Sequence, residues 1–553
     1  MLGTRAVIEI LKCEGVDLVF GYPGGQVIPL FDAFYDEKDI RLILPRHEQG
    51  GVHAADGYAR VTGRVGVVVA TSGPGATNLV TGIANAHLDS IPMVVITGQV
   101  PSYLIGNDAF QEVDVVGITR SISKHNYLVN DSKELPFMLK AAFHIARTGR
   151  PGPVVVDIPS NVQRADITTP IPKQVNIPSY QPNYEGNPRQ IERIAKMINS
   201  SKRPLFYVGG GVIGSNASDF LRAAAESAAI PVITTLMALG AFPCDNPLFL
   251  GMPGMHGAVY ANRAIMDCDL LIAVGARFDD RVTGKIDAFA PKANIIHIDI
   301  DPTSVAKNVR VDLPVIGCAR KILEQLLPKL ERRDRAEWLM KIDGWKTTSP
   351  LNYTGLGLTP QHIIREMARL AEGRDPVLVT DVGQHQMWAA LYWRHMNPRR
   401  WVSSGGLGAM GFGLPAAIGA QLGCPGSLVF CVSGDGGIQM NIQEFATVRR
   451  LNLPVKVIIM NNGYLGLVRQ WQEMFWERRY SHTDISDSPD FIRVAQSYDI
   501  KGLVIDRAEA IASILEEAVR YSGPVVIDAR IPREANVYPM VPAGQSLDQI
   551  ITE

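Results

Sequence analysis

The stretch Ser433-Gly434-Asp435-Gly436-Gly437 follows one apolar run (427–432), and Asn461-Asn462-Gly463 follows the next (454–460). Both runs are rich in β-branched residues, which predicts two buried parallel strands. Ligands of open parallel sheets bind at the carboxyl ends of the strands, so we expect Asp435 and Asn462 to face one crevice. Their carboxylate and amide oxygens suit Mg²⁺, which completes its coordination shell with diphosphate oxygens and water. The adjoining glycines would let backbone N–H groups approach the phosphates.

Gly-Asp-Gly alone is a common turn, and two unrelated turns are the alternative interpretation of these stretches. A Gly-Asp-Gly turn at one strand end with Asn-Asn at the next strand end is more specific. This combination resembles the signature of proteins that bind thiamine diphosphate (ThDP). The sequence therefore predicts a site for ThDP and Mg²⁺ at this edge of the sheet.

Composition narrows the class of protein. Apolar residues make up 46% and charged residues 20% of the 553 residues, which is typical of soluble globular chains. The formal net charge of −1 gives no reason to expect a nucleic-acid partner or a membrane surface. The six cysteines are scattered without a Cys-x-x-Cys pair, which argues against a zinc site or a disulfide scaffold and favours a reducing, cytoplasmic location. No run is long enough to cross a membrane, and the amphipathic N-terminus is not typical of a signal peptide.

The chain alternates strand-like and helix-like segments in three units, 1–165, 189–345 and 361–553, which predicts an α/β fold. A linker with five prolines (166–188) separates the first two units, and a second linker (347–360) precedes the third. Within the second unit, Gly209-Gly210-Gly211-Val212-Ile213-Gly214 fits the pattern G-x-G-x-x-G after a strand. That pattern is weak by itself, because the acidic residue expected about 20 positions later is missing.

Motifs near the N-terminus extend the resemblance. The stretches Gly21-Tyr-Pro-Gly-Gly25, Arg46-His-Glu48-Gln-Gly50 and Ser72-Gly-Pro-Gly-Ala-Thr-Asn78 precede the two turns in the order seen in ThDP-dependent 2-oxoacid enzymes. On its own, Glu48 would be interpreted as a carboxylate at a helix start. The resemblance instead implies that Glu48 contacts the aminopyrimidine ring, where a carboxylic acid controls the tautomer of the cofactor.

Further stretches resemble the acetohydroxyacid synthase (acetolactate synthase) family, catalytic subunit. They are residues 108–112, 255–257, 275–285, 383–388, 406–413 and 469–472, and the match runs from about residue 20 to about residue 542. The Arg277-Phe-Asp-Asp-Arg281 stretch resembles the FAD-containing anabolic form of the family. The resemblance implies three doubly wound parallel-sheet domains of the ThDP-enzyme type. These are an N-terminal pyrimidine-binding domain (1–165), a central FAD-binding domain (189–345) and a C-terminal diphosphate- and Mg²⁺-binding domain (361–553).

The family resemblance implies a transferase that decarboxylates pyruvate on ThDP and joins the hydroxyethyl unit to a second 2-oxoacid. Pyruvate as acceptor gives 2-acetolactate, and 2-oxobutyrate gives 2-aceto-2-hydroxybutyrate, in the biosynthesis of valine, leucine and isoleucine. The resemblance also implies a homodimer or homotetramer, a small regulatory subunit, and FAD that is not needed for net oxidation or reduction.

The same resemblance assigns the residues of the site. The catalytic and substrate-contacting residues would be Glu48, Phe110, Gln111, Met255, Arg281 and Trp471. ThDP would be held by Glu48, Val382, Gln384, His385, Gly408, Met410, Gly434, Asp435, Gly436 and Tyr464. Mg²⁺ would be bound by Asp435, Asn462 and the backbone oxygen of Tyr464. FAD would be held by Arg150, Gly209, Gly210, Gly211, His256, Gly275, Arg277 and Asp299.

Structural alternatives stay open for four of these side chains. Arg281 would attract the carboxylate of the second 2-oxoacid, but it could instead be paired with the adjoining aspartates. Trp471 would shape the acceptor pocket, but it lies on a plausible amphipathic helix and could be buried packing. Met410, which would support the bent shape of the cofactor, and Phe110 could likewise belong to the core.

Two positions depart from the family pattern. Ser160 takes the place of a lysine after Asp157-Ile-Pro, which removes a cation near the mouth of the substrate channel. Cys318 takes the place of an aspartate, and a thiol is a poor hydrogen-bond acceptor for FAD.

Three rival functions stay open at this point. A flavin-dependent pyruvate oxidase would use FAD as its electron acceptor, and the motifs around Arg281 and Trp471 argue against it. A simple decarboxylase often carries adjacent histidines, and none of the eleven histidines here are adjacent. A non-catalytic cofactor-binding protein is disfavoured because Glu48, Asp435 and Asn462 occur together.

Overall fold

The computed structural model describes residues 1–351 and 357–552, which form three parallel β-sheets with helices packed against them. Residues 352–356 of the second predicted linker lie outside the described residues. Strand pairing in all three sheets is parallel. The helices of the described part of the chain include none long and apolar enough to cross a membrane.

The first sheet contains strands from the N-terminal unit. They are β1 (Leu18–Gly21), β2 (Arg41–Ile43), β3 (Gly66–Ala70), β4 (Met93–Gln99), β5 (His125–Leu128) and β6 (Pro153–Pro159), in the spatial order β2-β1-β3-β4-β6-β5. The accompanying helices are α1 (Gly3–Cys13), α2 (Ile28–Tyr35), α3 (Glu48–Thr62), α4 (Pro74–Thr77), α5 (Val80–Asp89), α6 (Val115–Thr119), α7 (Leu135–Arg147) and α8 (Ser160–Arg164).

The second sheet has five strands from the middle of the chain. They are β7 (Pro204–Val208), β8 (Val232–Thr234), β9 (Leu270–Val274), β10 (Asn294–Asp299) and β11 (Leu313–Ile316), in the order β11-β10-β9-β7-β8. The helices here are α9 (Pro188–Ser200), α10 (Gly210–Gly214), α11 (Ser218–Ala228), α12 (Val259–Asp267), α13 (Asp280–Thr283), α14 (Ala319–Leu326) and α15 (Ala336–Thr348).

The third sheet holds the two runs that opened the sequence analysis. Its strands are β12 (Val377–Thr380), β13 (Trp401–Val402), β14 (Val429–Gly434), β15 (Lys456–Asn461), β16 (Lys501–Ile505) and β17 (Val525–Arg530), in the order β13-β12-β14-β15-β17-β16. The helices are α16 (Pro360–Leu370), α17 (Gln384–Tyr392), α18 (Gly413–Gly423), α19 (Asp435–Gln439), α20 (Phe445–Arg450), α21 (Gly466–Phe475), α22 (Phe491–Ser497) and α23 (Ile511–Arg520).

The strand order switches direction between β1 and β3 in the first sheet, between β7 and β9 in the second, and between β12 and β14 in the third. The first and third sheets reverse once more near one edge, where β6 lies before β5 and β17 lies before β16. In doubly wound sheets a ligand crevice opens at such a switch point, outside the carboxyl ends of the strands. Glycine-rich stretches lie at the second and third switch points, since Gly209 follows β7 and Asp435 follows β14. The predicted class, α/β with parallel doubly wound sheets, is confirmed.

Helices α3 and α18 join the first and third sheets through direct backbone contact. A Cβ added at Gly57 of α3 would lie 2.8 Å from the backbone carbonyl carbon of Ala416 in α18, so the two helices touch where no side chain intervenes. Both helices are almost wholly buried. Close packing of this kind tolerates no added volume, which fixes α3, and Glu48 at its start, relative to the third sheet.

Candidate active site

A crevice opens at the switch point of the third sheet. Its lining comes mainly from the segments that follow three neighbouring strands, β12, β14 and β15, and Met410, which follows β13, adds to it. The lining residues that were assigned to ThDP or Mg²⁺ are Val382, Gln384, His385, Met410, Gly434, Asp435, Gly436, Asn462 and Tyr464. Nine of the positions assigned from the sequence to ThDP or Mg²⁺ are thus brought together here, although they span more than 80 positions of the chain.

The crevice is built to receive an anion. Helix α17 begins at Gln384 and α19 begins at Asp435, and both starting residues line the crevice. Backbone N–H groups of a first helical turn lack partners inside the helix, and the helix dipole adds positive potential there. His385 Nε2 is buried and has no hydrogen-bond partner among the described residues. Burial lowers the pKa of His385 to about 4, although a hydrogen bond to the Asp381 backbone raises it, so the ring is neutral and carries one N–H.

A carboxylate and an amide lie at the same place. Asp435 is 1% exposed, and its Oδ2 accepts a hydrogen bond of 2.8 Å from the backbone N–H of Gly463. Asn462 Nδ2 donates to Gln384 Oε1 at 3.3 Å, while its Oδ1 accepts from the Tyr464 N–H. Burial raises the pKa of Asp435 to about 7, a cost that a bound divalent cation would offset.

The donor set fits Mg²⁺ bound together with a diphosphate. In the described part of the chain no group of three or more His, Cys, Asp or Glu side chains has the arrangement of a metal site. One carboxylate and one amide therefore need further oxygen ligands from elsewhere, which is how Mg²⁺ binds when phosphates complete its shell. A Cβ at Gly436 would lie 2.6 Å from Leu465 Cδ2, so a larger residue here would displace the end of the Leu465 side chain in the wall of the crevice.

Met410 lies in the wall of this crevice and not in the core. It is half-buried, and its Cε would lie 3.6 Å from a Cβ placed on Gly436. Gly408, two residues earlier, is exposed and has φ 69°, a conformation that favours glycine. The alternative that Met410 is simple core packing is wrong.

Glu48 occupies a different environment in this chain. It is the first residue of α3, is 9% exposed, and its Oε2 accepts a 2.9 Å hydrogen bond from Asn78 Nδ2. The preceding backbone is held by Glu444, whose Oε1 accepts from the N–H groups of Arg46 at 2.8 Å and His47 at 3.1 Å. The described residues that line the crevice lie between 382 and 531, and Glu48 is not one of them.

Arg281, Trp471 and Met255 form a cluster. The Arg281 guanidinium carbon lies 5.6 Å from the Trp471 ring centre, within the range of a cation–π contact, and Nη1 is 4.0 Å from the Met255 sulfur. Asp280 is 3.8 Å from Arg281 and both side chains are more than half exposed, so this pair is weak. Asp279 pairs with Arg277. The guanidinium of Arg281 therefore stays accessible to a ligand carboxylate. Met255 and Trp471 both contact this guanidinium, so a carboxylate bound to it would lie next to them.

The side chains of Phe110 and Gln111 lie on a surface loop. Phe110 is 86% exposed, so the alternative that it belongs to the core is wrong. Gln111 has φ 61°, and its backbone oxygen would lie 2.8 Å from a Cβ placed on Gly73. The exposed Phe110 side chain is therefore available for contact with a ligand or another chain.

The residues assigned to FAD gather at the switch point of the second sheet. Gly209 follows β7, Gly275 follows the neighbouring β9, and Asp299 ends β10, which is the next strand. Gly211 donates its N–H to Gly275 O at 3.1 Å, and Gly275 has φ 58°. The glycines keep side chains away from the mouth of this crevice, which suits a dinucleotide.

Polar groups around that crevice are only partly satisfied. Both ring nitrogens of His256 are buried without partners in the described residues, and burial lowers the pKa of His256 to about 4. Arg150 binds Asp301 at 3.1 Å, and Arg277 pairs with Asp279. Thr234, at the end of β8, also has a buried hydroxyl without a partner. Unpartnered buried donors and acceptors are costly, and a bound flavin nucleotide would satisfy them.

Ser160 and Cys318, the two positions that depart from the family pattern, both lie at the start of a helix. Ser160 is 4% exposed and begins α8. Cys318 precedes α14, where its backbone N–H donates to Tyr184 O at 2.9 Å.

Sequence reasoning missed Thr234 and Glu444. Thr234 could have been found because it ends a strand of the same sheet as Gly209 and Gly275. Glu444 gave no local signal, since the backbone that it holds lies almost 400 positions away in the chain.

Family models match three parts of the chain. They are the thiamine pyrophosphate enzyme N-terminal TPP binding domain at residues 1–118, the central domain at residues 191–326 and the C-terminal TPP binding domain at residues 381–529. Thiamine pyrophosphate (TPP) is ThDP under another name. Fold, crevice and matches together define the class, an enzyme that uses ThDP.

Three relatives narrow the class. Acetolactate synthase of Mycobacterium bovis is 49% identical, and the alignment covers 100% of this chain and 91% of the relative. The acetolactate synthase large subunit of Corynebacterium glutamicum is 48% identical, covering 100% and 90%. A probable acetolactate synthase large subunit of Methanocaldococcus jannaschii is 47% identical, covering 100% and 95%. The chain belongs to the acetolactate synthase large-subunit family and is a ThDP-dependent enzyme of that type.

Proposed function

We propose that this chain joins pyruvate to a second pyruvate or to 2-oxobutyrate, in the cytoplasmic synthesis of branched-chain amino acids. One observation carries the proposal. Helix α21 lines the cofactor crevice with its first residues, and Trp471 on the same helix contacts the guanidinium of Arg281. A cationic acceptor site beside a cofactor crevice is what the joining of two 2-oxoacids requires.

Six groups hold the cofactor and its metal in this proposal. The N-terminus of α17 and the His385 ring bind the diphosphate, and Asp435 and Asn462 bind Mg²⁺ with the backbone oxygen of Tyr464. Met410 supports the rings. ThDP, when bound, would supply a nucleophilic carbon for the pyruvate carbonyl and a cationic ring that takes up the electron pair left when CO₂ departs. Glu48 holds a proton at the aminopyrimidine nitrogen and so sets the protonation state of that ring.

Arg281 selects and orients the acceptor. Its side chain is more than half exposed and its aspartate neighbour is a weak partner, so a carboxylate of a 2-oxoacid can bind it in bidentate fashion. The indole of Trp471 stacks on the guanidinium and limits the space for the acceptor alkyl group. Phe110 and Gln111 line the donor side of the pocket.

FAD is proposed as a bound nucleotide that takes no part in net electron transfer. Its support is the pair of glycine-rich strand ends and the unpartnered His256 and Thr234 side chains. The deciding experiment is product analysis with pyruvate plus 2-oxobutyrate, adding ThDP, Mg²⁺ and FAD one at a time. Formation of the two acetohydroxyacids supports the proposal. Oxygen consumption with pyruvate alone would favour the pyruvate oxidase alternative, and acetaldehyde as main product would favour a simple decarboxylase.

Trp471→Leu should reduce the preference for 2-oxobutyrate over pyruvate by up to about two orders of magnitude. The two acceptors differ by one methylene, and pockets discriminate such pairs by about 1–3 kcal/mol. The measurement is the ratio of acetohydroxybutyrate to acetolactate when both acids compete. Trp476→Leu is the matched control, because Trp476 is 66% exposed just beyond the end of α21. An unchanged ratio in Trp471→Leu would assign Trp471 to packing alone.

We also propose that each active site needs two chains, in a homodimer or homotetramer that binds a small regulatory subunit. The support is that Glu48 does not line the crevice around Asp435 within one chain. Mixing inactive Glu48→Gln with inactive Asp435→Ala chains, under conditions of subunit exchange, should restore activity. Up to about one quarter of wild-type activity is expected, since half the dimers are mixed and each keeps one intact site.

The control for this mixing experiment is Glu48→Gln exchanged with itself, which should stay inactive. Subunit exchange is verified with two differently tagged chains. No recovery despite proven exchange would mean that each site is built within one chain.

A further inference from the structure

The loop of residues 403–411 lies between β13 and α18 and carries Met410 to the crevice, with Gly408 two residues earlier. The C-terminal unit holds this loop through Gln386 Nε2, which donates to Ser404 O at 2.9 Å, and through Asp381 Oδ1, which accepts from the Gly411 N–H at 3.1 Å. A further anchor is a carboxylate from the N-terminal unit. Asp89, the last residue of α5, has a side chain that is 1% exposed. Its Oδ1 accepts a 2.7 Å hydrogen bond from the Gly406 N–H, and its Oδ2 accepts one of 3.1 Å from the Gly405 N–H. Hydrogen bonds to a buried, ionised acceptor are among the strongest in proteins.

Arg60 of α3 completes this anchor. Its Nη2 donates to Asp89 Oδ2 at 2.8 Å, and its Nη1 donates to the backbone oxygen of Ser403 at 2.9 Å. Asp56, one turn earlier on α3, binds the remaining side of the guanidinium. The pairing compensates the buried charge of Asp89 and adds a contact to the start of the loop.

A second arm of the same network reaches further along the loop. Asn85 Nδ2 donates to Asp56 at 3.0 Å, and its Oδ1 accepts from Ser404 Oγ at 2.6 Å. Ser404 Oγ in turn accepts from the Ala409 N–H at 2.9 Å. Ala409 lies between Gly408 and Met410, so the network ends directly at the residues that face the cofactor.

The loop packs closely against the end of α5 at Gly406. A Cβ added at Gly406 would lie 2.9 Å from Leu88 Cβ and 3.0 Å from Asp89 Oδ1. The backbone of the loop therefore packs directly on the end of α5. Among the described residues, only the Asp89 oxygens accept hydrogen bonds from the N–H groups of Gly405 and Gly406.

We propose that Asp89 is a positioning residue for the reaction: it holds Gly405 and Gly406, and through them sets where Gly408 and Met410 meet the cofactor. The proposal rests on the proposed function, because the contact of Gly408 and Met410 with ThDP is part of it. The N-terminal unit would then contribute to catalysis in two ways. Glu48, at the start of α3, contacts the cofactor, and the Arg60–Asp89 pair, near the end of α3, positions the loop.

Asp89→Asn tests the anchor without any cofactor. The amide keeps the size of the side chain but loses the charge and turns one acceptor into a donor. Backbone amide hydrogen exchange, followed by mass spectrometry on the protein free of cofactors, should become about tenfold faster or more in peptides covering 403–411. Asp17→Asn is the control, because Asp17 binds Tyr58 and Arg64 near the same end of α3 but does not contact the loop.

The same variant tests positioning with the cofactor bound. Asp89→Asn should lower kcat about tenfold or more, while KM for pyruvate and the apparent Kd for ThDP with Mg²⁺ change less than about threefold. The near-ultraviolet circular dichroism of bound ThDP should change with it. If Asp89→Asn does not fold, Ser404→Ala removes the second arm alone and should give the same pattern at about threefold.

Each outcome decides a different point. Unchanged amide exchange at 403–411, or equal effects in Asp17→Asn, would overturn the anchor. Faster exchange with wild-type kcat would overturn the positioning role. Wild-type activity in Glu48→Gln would instead contradict the proposed function. The amide exchange result would remain valid, because it is measured on protein free of cofactors.

Discussion

Glu48→Gln is expected to keep the fold and to lose about 10²–10⁴-fold in kcat, the usual contribution of a general acid–base group. A glutamine amide still accepts the 2.9 Å hydrogen bond from Asn78. It cannot hold and release a proton at the aminopyrimidine nitrogen, which is the role proposed for Glu48. The measurement is steady-state formation of acetolactate, with thermal unfolding of the variant as a check on the fold.

Glu444→Gln is the matched control for that experiment. Glu444 is a buried glutamate that holds the backbone at Arg46 and His47, just before Glu48. Burial raises the pKa of Glu444, and a glutamine would retain an oxygen for the two N–H donors. We therefore expect less than about a tenfold loss in Glu444→Gln, because the two hydrogen bonds survive. Equal losses in both variants, or activity within about twofold of wild type in Glu48→Gln, would remove the acid–base role.

The sequence also predicts strands at 204–208, 270–274 and 400–403, and most interior strands of the three sheets are predicted. The predicted strands 204–208 and 270–274 coincide with β7 and β9, whose five residues are all buried. Five strands were not predicted. Four of them, β5, β8, β11 and β16, lie at an edge of a sheet, whereas β1 is a short interior strand whose four residues are buried. Edge strands have one unpaired side and keep polar residues, as in β5, whose first residue is exposed. Their continuous apolar signal is therefore lost.

The C-terminal part of the site could be predicted for a topological reason. Asp435 and Asn462 follow neighbouring parallel strands, and the ends of such strands meet at one edge of the sheet. The contacts of Glu48 with Asn78, at the end of α4, and of Glu444, just before α20, with the backbone before Glu48 depend on how α3 packs against other parts of the chain. No periodicity or spacing encodes them. Resemblance to a family supplied Glu48, and only the structure supplied Glu444 and Asp89.

Asp435→Ala is expected to weaken Mg²⁺ and ThDP binding together by about 10²-fold or more. Truncating one partner of a buried, hydrogen-bonded charge pair costs about 2–5 kcal/mol. Here the variant also leaves the Gly463 N–H without its 2.8 Å acceptor. Because the metal bridges the protein and the diphosphate, losing its one carboxylate ligand weakens both components. Calorimetric titration of ThDP, with and without Mg²⁺, gives both affinities.

Two further variants separate the charge from the fold. Asp435→Asn keeps an oxygen for the Gly463 N–H but removes the charge. If the carboxylate binds the metal, the affinity of this variant for ThDP in the presence of Mg²⁺ should lie between those of Asp435→Ala and wild type. Asp528→Asn changes a buried carboxylate on the neighbouring β17, where Asn461 Nδ2 donates to it at 2.8 Å, and should bind ThDP within about threefold of wild type. If Asp435→Ala retained wild-type affinity for ThDP in the presence of Mg²⁺, the metal site at the ends of β14 and β15 would be wrong. If it lost affinity equally with and without Mg²⁺, Asp435 would serve the backbone at Gly463 and not the metal.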